Sequence, residues 1–130
     1  MAMGNPQINL DRLAAQHAQK IIAKTSGDKP SDVENTITKA LGVLQENGIY
    51  ACFLYLLAKE GNRGRVIIGE MLELINRLGF DWGKPDSNDA EAVLSYVSEK
   101  VTADLERMLL IKEILEQMLI YARYGAKARG

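Results

Sequence analysis

Hydrophobic residues recur along this chain at spacings of three and four, a pattern that predicts amphipathic helices and no convincing strand. The first predicted helix covers residues 9–24, and the second has its apolar stripe within residues 33–44. The third, residues 49–58, is apolar at every position and has no polar side. The pattern therefore divides the first half of the chain into two one-sided helices and one uniformly apolar helix.

Three further helices follow in the second half. The fourth has its apolar stripe within residues 67–78, after a glycine-rich segment at residues 61–65 that predicts a turn. The fifth covers about residues 90–101, and the last and longest covers about residues 103–124. Between the fourth and fifth helices lies the longest predicted loop, residues 79–88.

The helix break at Asn47 and Gly48 separates the second helix from the apolar third. Gly48 lies where a positive φ is wanted, which glycine adopts without strain from a Cβ atom. An all-round apolar helix belongs in an interior, and ten residues are too few for a bilayer, which needs about 20. We therefore predict an all-α, single-domain bundle of about six helices around a buried central helix. It spans residues 1–130, with flexible ends at residues 1–7 and 126–130.

Composition narrows the class of protein. The 130 residues suffice for one domain with a real core, and 16 basic against 17 acidic residues give a net charge of −1. That balance disfavours a surface that is basic throughout, although it allows a local basic patch. Residues 1–7 lack the apolar segment of a signal peptide, so a cytoplasmic protein with no membrane contact is expected.

Candidate catalytic and metal-binding groups are few. The single histidine, His17, lies on the apolar side of the first helix, where a hydrogen-bonded histidine at the edge of the core is favoured over a catalytic base. The single cysteine, Cys52, lies within the apolar helix and is expected to be a buried hydrophobe. One histidine and one cysteine cannot supply a structural zinc site, and the acidic run at residues 86–89 fits a helix cap better than a calcium loop. We therefore expect no enzyme activity, no metal and no cofactor.

Basic residues are concentrated locally. The tail after Tyr121 has three basic residues and no acid, whereas residues 86–106 hold six acids and one lysine. Arginines beside tyrosines suit a surface that binds phosphates and stacks on bases, although basic residues also stabilise the end of a helix. Trp82 is expected to cover the core from its loop. Local basicity on exposed faces or loops selects the candidate nucleic-acid contacts: Lys20, Lys24, Arg63, Arg65, Arg123 and Lys127.

Two segments resemble a known family. Residues 41–59, LGVLQENGIYACFLYLLAK, resemble the helix, Asn-Gly break and apolar helix of the small α-helical subunit of the type III-B CRISPR (Cmr) complex. Residues 109–128, LLIKEILEQMLIYARYGAKA, resemble the last helix of that family, which often closes with a tryptophan and then a basic and aromatic pair. This chain departs from that pattern, because Ile120 or a neighbour stands where the tryptophan is expected. The most distinctive matches are Asn47-Gly48 and Arg123-Tyr124.

This resemblance implies a non-catalytic helical subunit that stacks in several copies beside a guide RNA and its target RNA. Its partners would be the other subunits of the Cmr complex and copies of itself, and its role would be phosphate contact. The small subunit of type III-A complexes is a close alternative. Two other classes stay open: a helical protein-interaction adaptor that uses exposed apolar residues such as Trp82 or Tyr121, and an enzyme of unrecognised type.

Overall fold

Six α-helices make up the chain in this computed structural model, which describes residues 9–130. A π-helical turn continues the fifth helix, and the described residues contain no strand. The all-α, single-domain bundle is therefore confirmed, whereas residues 1–7, predicted to be flexible, lie outside the described residues. The helices are α1 (Leu10–Lys24), α2 (Pro30–Asn47), α3 (Ile49–Lys59), α4 (Gly61–Asn76), α5 (Ala90–Tyr96) with the π-turn (Val97–Val101), and α6 (Leu105–Arg129).

Helix α6 is the element against which the bundle is organised, because it packs along both α1 and α2. Its 25 residues span about 37 Å. Tyr121 donates a hydrogen bond to Asp11 near the start of α1, and Arg129 reaches Thr25 at the end of α1, so the two helices run in the same direction. The helix ends five residues beyond the predicted Tyr124. Residues 126–129, expected to be flexible, are helical, and Ala126 is fully buried.

Helix α3 is buried on one side only. Its inner side chains are Ile49, Cys52, Phe53 and Leu56. On the other side Tyr50 is 40% exposed and Leu54 is 46% exposed, so the expectation of a helix enclosed all round is corrected. The physical reason is that α3 packs chiefly on α2 and α4, with smaller contacts to α5 and the π-turn, and two neighbours cannot cover a whole helix.

The connection between α3 and α4 is tighter than the sequence indicated. Only Glu60 separates the helices, so residues 61–65, predicted to be a turn, form the first part of α4. Gly61 takes a φ of 57° at this reversal. Gly64 is buried, and a Cβ atom on it would lie 2.4 Å from the carbonyl oxygen of Leu56. Gly61 permits the reversal between the two helices, and Gly64 permits their close packing. A sequence with glycines for these purposes cannot be distinguished from the sequence of a glycine-rich loop.

The remaining helix ends follow local chemistry. Gly48 has a φ of 98°, which confirms its predicted conformation. Pro30 occupies the first turn of α2, where its missing N–H costs nothing. Asp89 caps α5 by accepting a hydrogen bond from the amide of Ala92 at 2.9 Å, as the acidic run predicted. Within residues 9–130, no helix combines the length and the apolar character needed to cross a membrane.

Candidate nucleic-acid interface

The six predicted contact residues lie on three elements. Lys20 and Lys24 are on the outer side of α1, and both are exposed. Arg63 and Arg65 are in the first two turns of α4, and Arg123 and Lys127 are in the last turns of α6. Lys20 and Lys24, like Arg123 and Lys127, are four residues apart and so share one face of their helix, whereas Arg63 and Arg65 are two apart and point in different directions. The structure therefore confirms exposed settings for Lys20, Lys24, Arg65 and Lys127, while Arg63 and Arg123 are half-buried.

Several of these cations already have acidic partners. The Nζ atom of Lys24 lies 2.6 Å from Oε2 of Glu70, and Nζ of Lys127 lies 3.7 Å from Oε2 of Glu34. The Lys24 contact is close, although its lysine is largely exposed. A paired lysine presents less net charge to an external phosphate, because the nearby carboxylate screens it.

Arg63 is built into the protein. Its Nε donates to Oγ1 of Thr36 at 3.0 Å, and its Nη1 lies 3.1 Å from Oδ2 of Asp28. Thr36 in turn donates to Glu60, which also accepts from Tyr55. Burial, followed by this bond to Glu60, raises the pKa of Tyr55 to about 12, so the phenol keeps its proton. Arg63 therefore joins α4 to the α1–α2 connection.

Arg65 points elsewhere. Its Nη1 donates to the carbonyl oxygen of Asn88 at 2.5 Å and so anchors the loop before α5. The loop it approaches is acidic, because Asp86 and Asp89 lie on either side of Asn88. Hydrogen bonds from the Ala92 amide and the Ser87 hydroxyl lower the pKa of Asp89, and the positive charge of Arg65 makes a smaller contribution in the same direction. Arg65 is thus separated in function from Arg63, although the two are adjacent in the predicted basic segment.

The C-terminal end of α6 holds a third basic group. Arg129, which was not among the predicted contact residues, donates to the carbonyl oxygens of Ile22, Thr25 and Asp28 at 3.3, 3.2 and 2.8 Å. A guanidinium at these carbonyls satisfies acceptors left free at the end of α1.

The Nε atom of Arg123 is buried without a hydrogen-bond partner among the described residues.

A buried polar cluster joins α1 to α4. His17 and Glu70 are each 1% exposed, and Nδ1 of His17 lies 2.8 Å from Oε1 of Glu70. The Nη1 of Arg77 lies 3.3 Å from Nε2 of His17 and 3.1 Å from Oε1 of Gln16. Because arginine can only donate, Nε2 accepts and the proton is on Nδ1, where it is donated to Glu70. The expected hydrogen-bonded histidine is confirmed, and its partners are new.

Two opposing effects set the charge of Glu70. Burial raises its pKa, but the hydrogen bonds from His17 and Lys24, together with the positive charge of Lys24, outweigh burial and hold the pKa below its ordinary value. Glu70 is therefore an ionised carboxylate between one neutral imidazole and one ammonium group. Sequence could not find this contact, because 53 residues separate His17 from Glu70. The one available signal was a glutamate inside the apolar region of α4.

A groove runs over this cluster between α1 and the end of α4. Its lining residues are Gln16, Gln19, Lys20, Ala23 and Arg77. Lys20 was predicted as a contact residue, and Arg77 was not. The structure brings these two cations to one groove, next to Lys24, whereas Arg65 and the pair on α6 lie on other parts of the surface.

Two other candidates have structural roles. Burial raises the pKa of the Cys52 thiol to about 12, and its Sγ lies 3.4 Å from the carbonyl oxygen of Ala40, which suits an unreactive core residue. Trp82 packs on Phe80 with ring centroids 4.8 Å apart, and the guanidinium of Arg107 lies 5.1 Å from the Phe80 ring. Trp82 therefore covers the core as predicted. Among residues 9–130, no three His, Cys, Asp or Glu side chains are grouped for a metal ion.

Comparison with known proteins adds no relative: no family model, curated protein or solved structure matches this chain.

Proposed function

We propose that this chain is a non-catalytic small subunit of a type III-B CRISPR (Cmr) RNA-guided effector complex. The observation that carries the proposal is a combination of two sequence features on an all-α bundle. The first is the Asn47-Gly48 break between α2 and an apolar α3, and the second is the basic and aromatic end of α6 around Arg123 and Tyr124. Both features match the family segments described above.

The proposed mechanism asks for phosphate contacts and no sequence reading. Base pairing between guide and target supplies specificity in guided complexes, so a helical subunit only has to neutralise backbone charge and shape the channel. Exposed cations on α1 and α6 suit that task, and Tyr124 is exposed beside the α6 cations. The best-placed is Lys20, because it is exposed and forms no ion pair with a carboxylate of residues 9–130. Lys127 is exposed but paired with Glu34, and Arg63 and Arg65 also hold parts of the fold together.

Assembly accounts for the modest net charge of −1. A single copy with few free cations binds RNA weakly, and its affinity rises when several copies lie along one strand. The cytoplasm is the compartment we propose, because guide and target RNA meet there.

Affinity purification from the native organism tests the proposal. A tagged full-length chain, isolated under low-salt conditions, is expected to bring down the other Cmr subunits and a set of short RNAs with CRISPR repeat sequence. Mass spectrometry and RNA sequencing identify both. Type III-A subunits in their place would correct the assignment to the related complex. Unrelated proteins without RNA would overturn it.

A helical protein-interaction adaptor is the second candidate, and one observation favours it. Tyr50 and Leu54 on α3, with Leu105 and Leu109 on α6, are large apolar side chains exposed to solvent. Trp82 and Tyr121, which the sequence suggested for such contacts, are only half-exposed, and the Tyr121 hydroxyl donates to Asp11. If the chain is an adaptor, Leu54→Ser and Leu109→Ser are expected to abolish the co-purification of partner proteins. No RNA is then expected to co-purify with either the wild type or the variants.

A further inference from the structure

The groove between α1 and the end of α4 has an unusual electrostatic arrangement. Lys20 and Arg77 line it and form no ion pair with any carboxylate of residues 9–130. The other lining side chains include Gln16 and Gln19, whose amides are neutral donors and acceptors. Two cations and two amides at one groove are suited to a single oxyanion.

Arg77 is held in place without losing its charge. Its Nη1 donates to Oε1 of Gln16 at 3.1 Å and to Nε2 of His17 at 3.3 Å, and both acceptors are neutral. The described residues offer no partner to its Nη2 or Nε atoms. A guanidinium oriented by neutral acceptors keeps its full positive charge and N–H groups for an outside ligand. By contrast, Arg63 donates to the carboxylate of Asp28.

The residues beneath Arg77 explain its orientation. His17 is buried and donates from Nδ1 to Glu70, so its Nε2 is kept as an acceptor toward Arg77. The repulsion between Glu70 and an anion in the groove is offset by the ammonium group of Lys24, whose Nζ lies 2.6 Å from Oε2 of Glu70. Glu73, the next acid on α4, is paired with Lys84. His17 is therefore a positioning residue, and the contact residues are Arg77 and Lys20.

We propose that this groove binds one phosphate group of an RNA backbone, with Arg77 as the principal ligand and Lys20 as the second cation. The proposal rests on the proposed function, since RNA supplies the phosphate. Guanidinium binds phosphate oxygens through paired N–H groups, and charge-assisted hydrogen bonds are about twice as strong as neutral ones. Gln16 fixes Arg77 through its carbonyl oxygen, which leaves its amide N–H groups for the same phosphate.

Binding of the full-length chain to a fluorescent oligouridine tests the groove at about 50 mM salt, where phosphate contacts are strongest. Arg77→Gln is expected to weaken binding about tenfold and to lower the salt slope by about one. Lys20→Gln is expected to weaken it about threefold. Lys100→Gln removes the same charge from the acidic region and is the matched control, with affinity expected to stay within about twofold.

The positioning role of His17 has its own readout. His17→Gln keeps one acceptor for Arg77 and one donor for Glu70, so it is expected to retain near wild-type affinity. His17→Leu removes the acceptor and is expected to approach the affinity of Arg77→Gln. In an Arg77→Gln background, His17→Leu is expected to have no further effect on binding. If His17→Leu does not fold, Gln16→Ala removes the other acceptor of Arg77, and the part of its effect that disappears in the Arg77→Gln background measures the orientation of Arg77.

Three results would overturn the proposal that this groove binds an RNA phosphate. If Arg77→Gln binds as the wild type does while Lys127→Gln weakens binding, RNA contacts lie on α6, and the proposed function survives without this site. If the wild type binds inorganic phosphate in an Arg77-dependent manner but not RNA, the backbone is the wrong ligand. If the wild type binds neither, the groove is not a phosphate site, and complex membership depends on the purification alone.

Discussion

Helix α4 contacts its two main neighbours in opposite ways. Toward α1 it presents Glu70, which meets His17 through a buried hydrogen bond of 2.8 Å. Toward α3 it presents Gly64, where the backbones approach so closely that a Cβ atom would lie 2.4 Å from the carbonyl oxygen of Leu56. One interface is defined by the direction of hydrogen bonds, and the other by shape.

The difference between these two interfaces shows what hydrogen bonds and close packing each contribute to the stability and geometry of the fold. Hydrogen bonds between buried polar groups exchange one set of partners for another, so their net contribution to stability is modest, while their geometry fixes register. Apolar packing contributes in proportion to area removed from water, and it is sensitive to volume changes in either direction. We therefore expect substitutions on the α3 side to cost more, and substitutions on the α1 side to depend on pH.

The largest effect is expected for Phe53→Ala on the buried side of α3. Phe53 is fully buried, and removing its ring leaves a cavity that helices α2 and α4 cannot close. The expected loss in the free energy of unfolding is about 3–5 kcal/mol. Urea denaturation followed by the fluorescence of the single tryptophan measures it. A loss below about 1 kcal/mol would contradict the burial of α3 on this side.

Gly64→Ala is expected to follow, with a loss of about 3 kcal/mol, because the new methyl group would collide with backbone atoms that cannot rotate away. Gly69→Ala is the matched control in the same helix. It has open space around it and normal helical φ, so alanine is expected to stabilise by up to about 1 kcal/mol through helix propensity. Opposite signs for the two variants support shape as the determinant, and equal signs would contradict it.

Glu70→Gln tests the α1 side and is expected to cost about 2 kcal/mol at neutral pH. Because the pKa of Glu70 is lowered in the folded state, its contribution is fully present above the ordinary value of 4.5. This contribution is lost as the pH falls through the lowered pKa of the folded state, because the carboxyl group of the unfolded chain binds its proton at a higher pH than that of the folded chain. The gap between wild type and variant should therefore shrink on acidification. A constant gap between pH 7 and the acid range would refute ionised Glu70 as its source.

The smallest effect is expected for Leu54→Ser on the exposed side of α3, within about 0.5 kcal/mol of the wild type. Its comparison with Phe53→Ala, one residue earlier, measures the asymmetry of a helix whose sequence is apolar throughout. Thermal and urea unfolding of the two variants side by side provide the values. A large loss for Leu54→Ser would show that this side is covered in solution by another surface.

Sequence reasoning reached the helical class, the number of helices and the conformation of Gly48, because these depend on local spacing and on the freedom of one residue. It also placed His17 at a hydrogen-bonded core position. It erred at residues 61–65, where glycines suited a loop and a close helix contact equally well. It placed the end of α6 too early, because alanine, lysine and arginine after Gly125 suit a helix and an exposed tail alike.

For the candidate RNA-contact residues too, the sequence predicted properties that depend on nearby residues and missed those that depend on residues far away in the chain. Local basicity identified Lys20 and Lys127 as exposed cations. It could not tell that Arg63 is held by Thr36 and Asp28, nor that Arg77 lies over His17, because these partners are 27 to 60 residues apart. The pairing of cations with acids depends on the relative rotation of packed helices, which no single helix pattern contains.

By itself, the amino-acid sequence determined which segments are helical and which of their faces are apolar, since hydrogen bonding within a helix and side-chain period are properties of a short segment. Only the tertiary structure decided which apolar faces found a neighbour. Helix α6 became the central element although it is less apolar than α3, because its length lets it contact both α1 and α2. Burial depends on how many surfaces surround a helix, and that number arises only when all helices pack together.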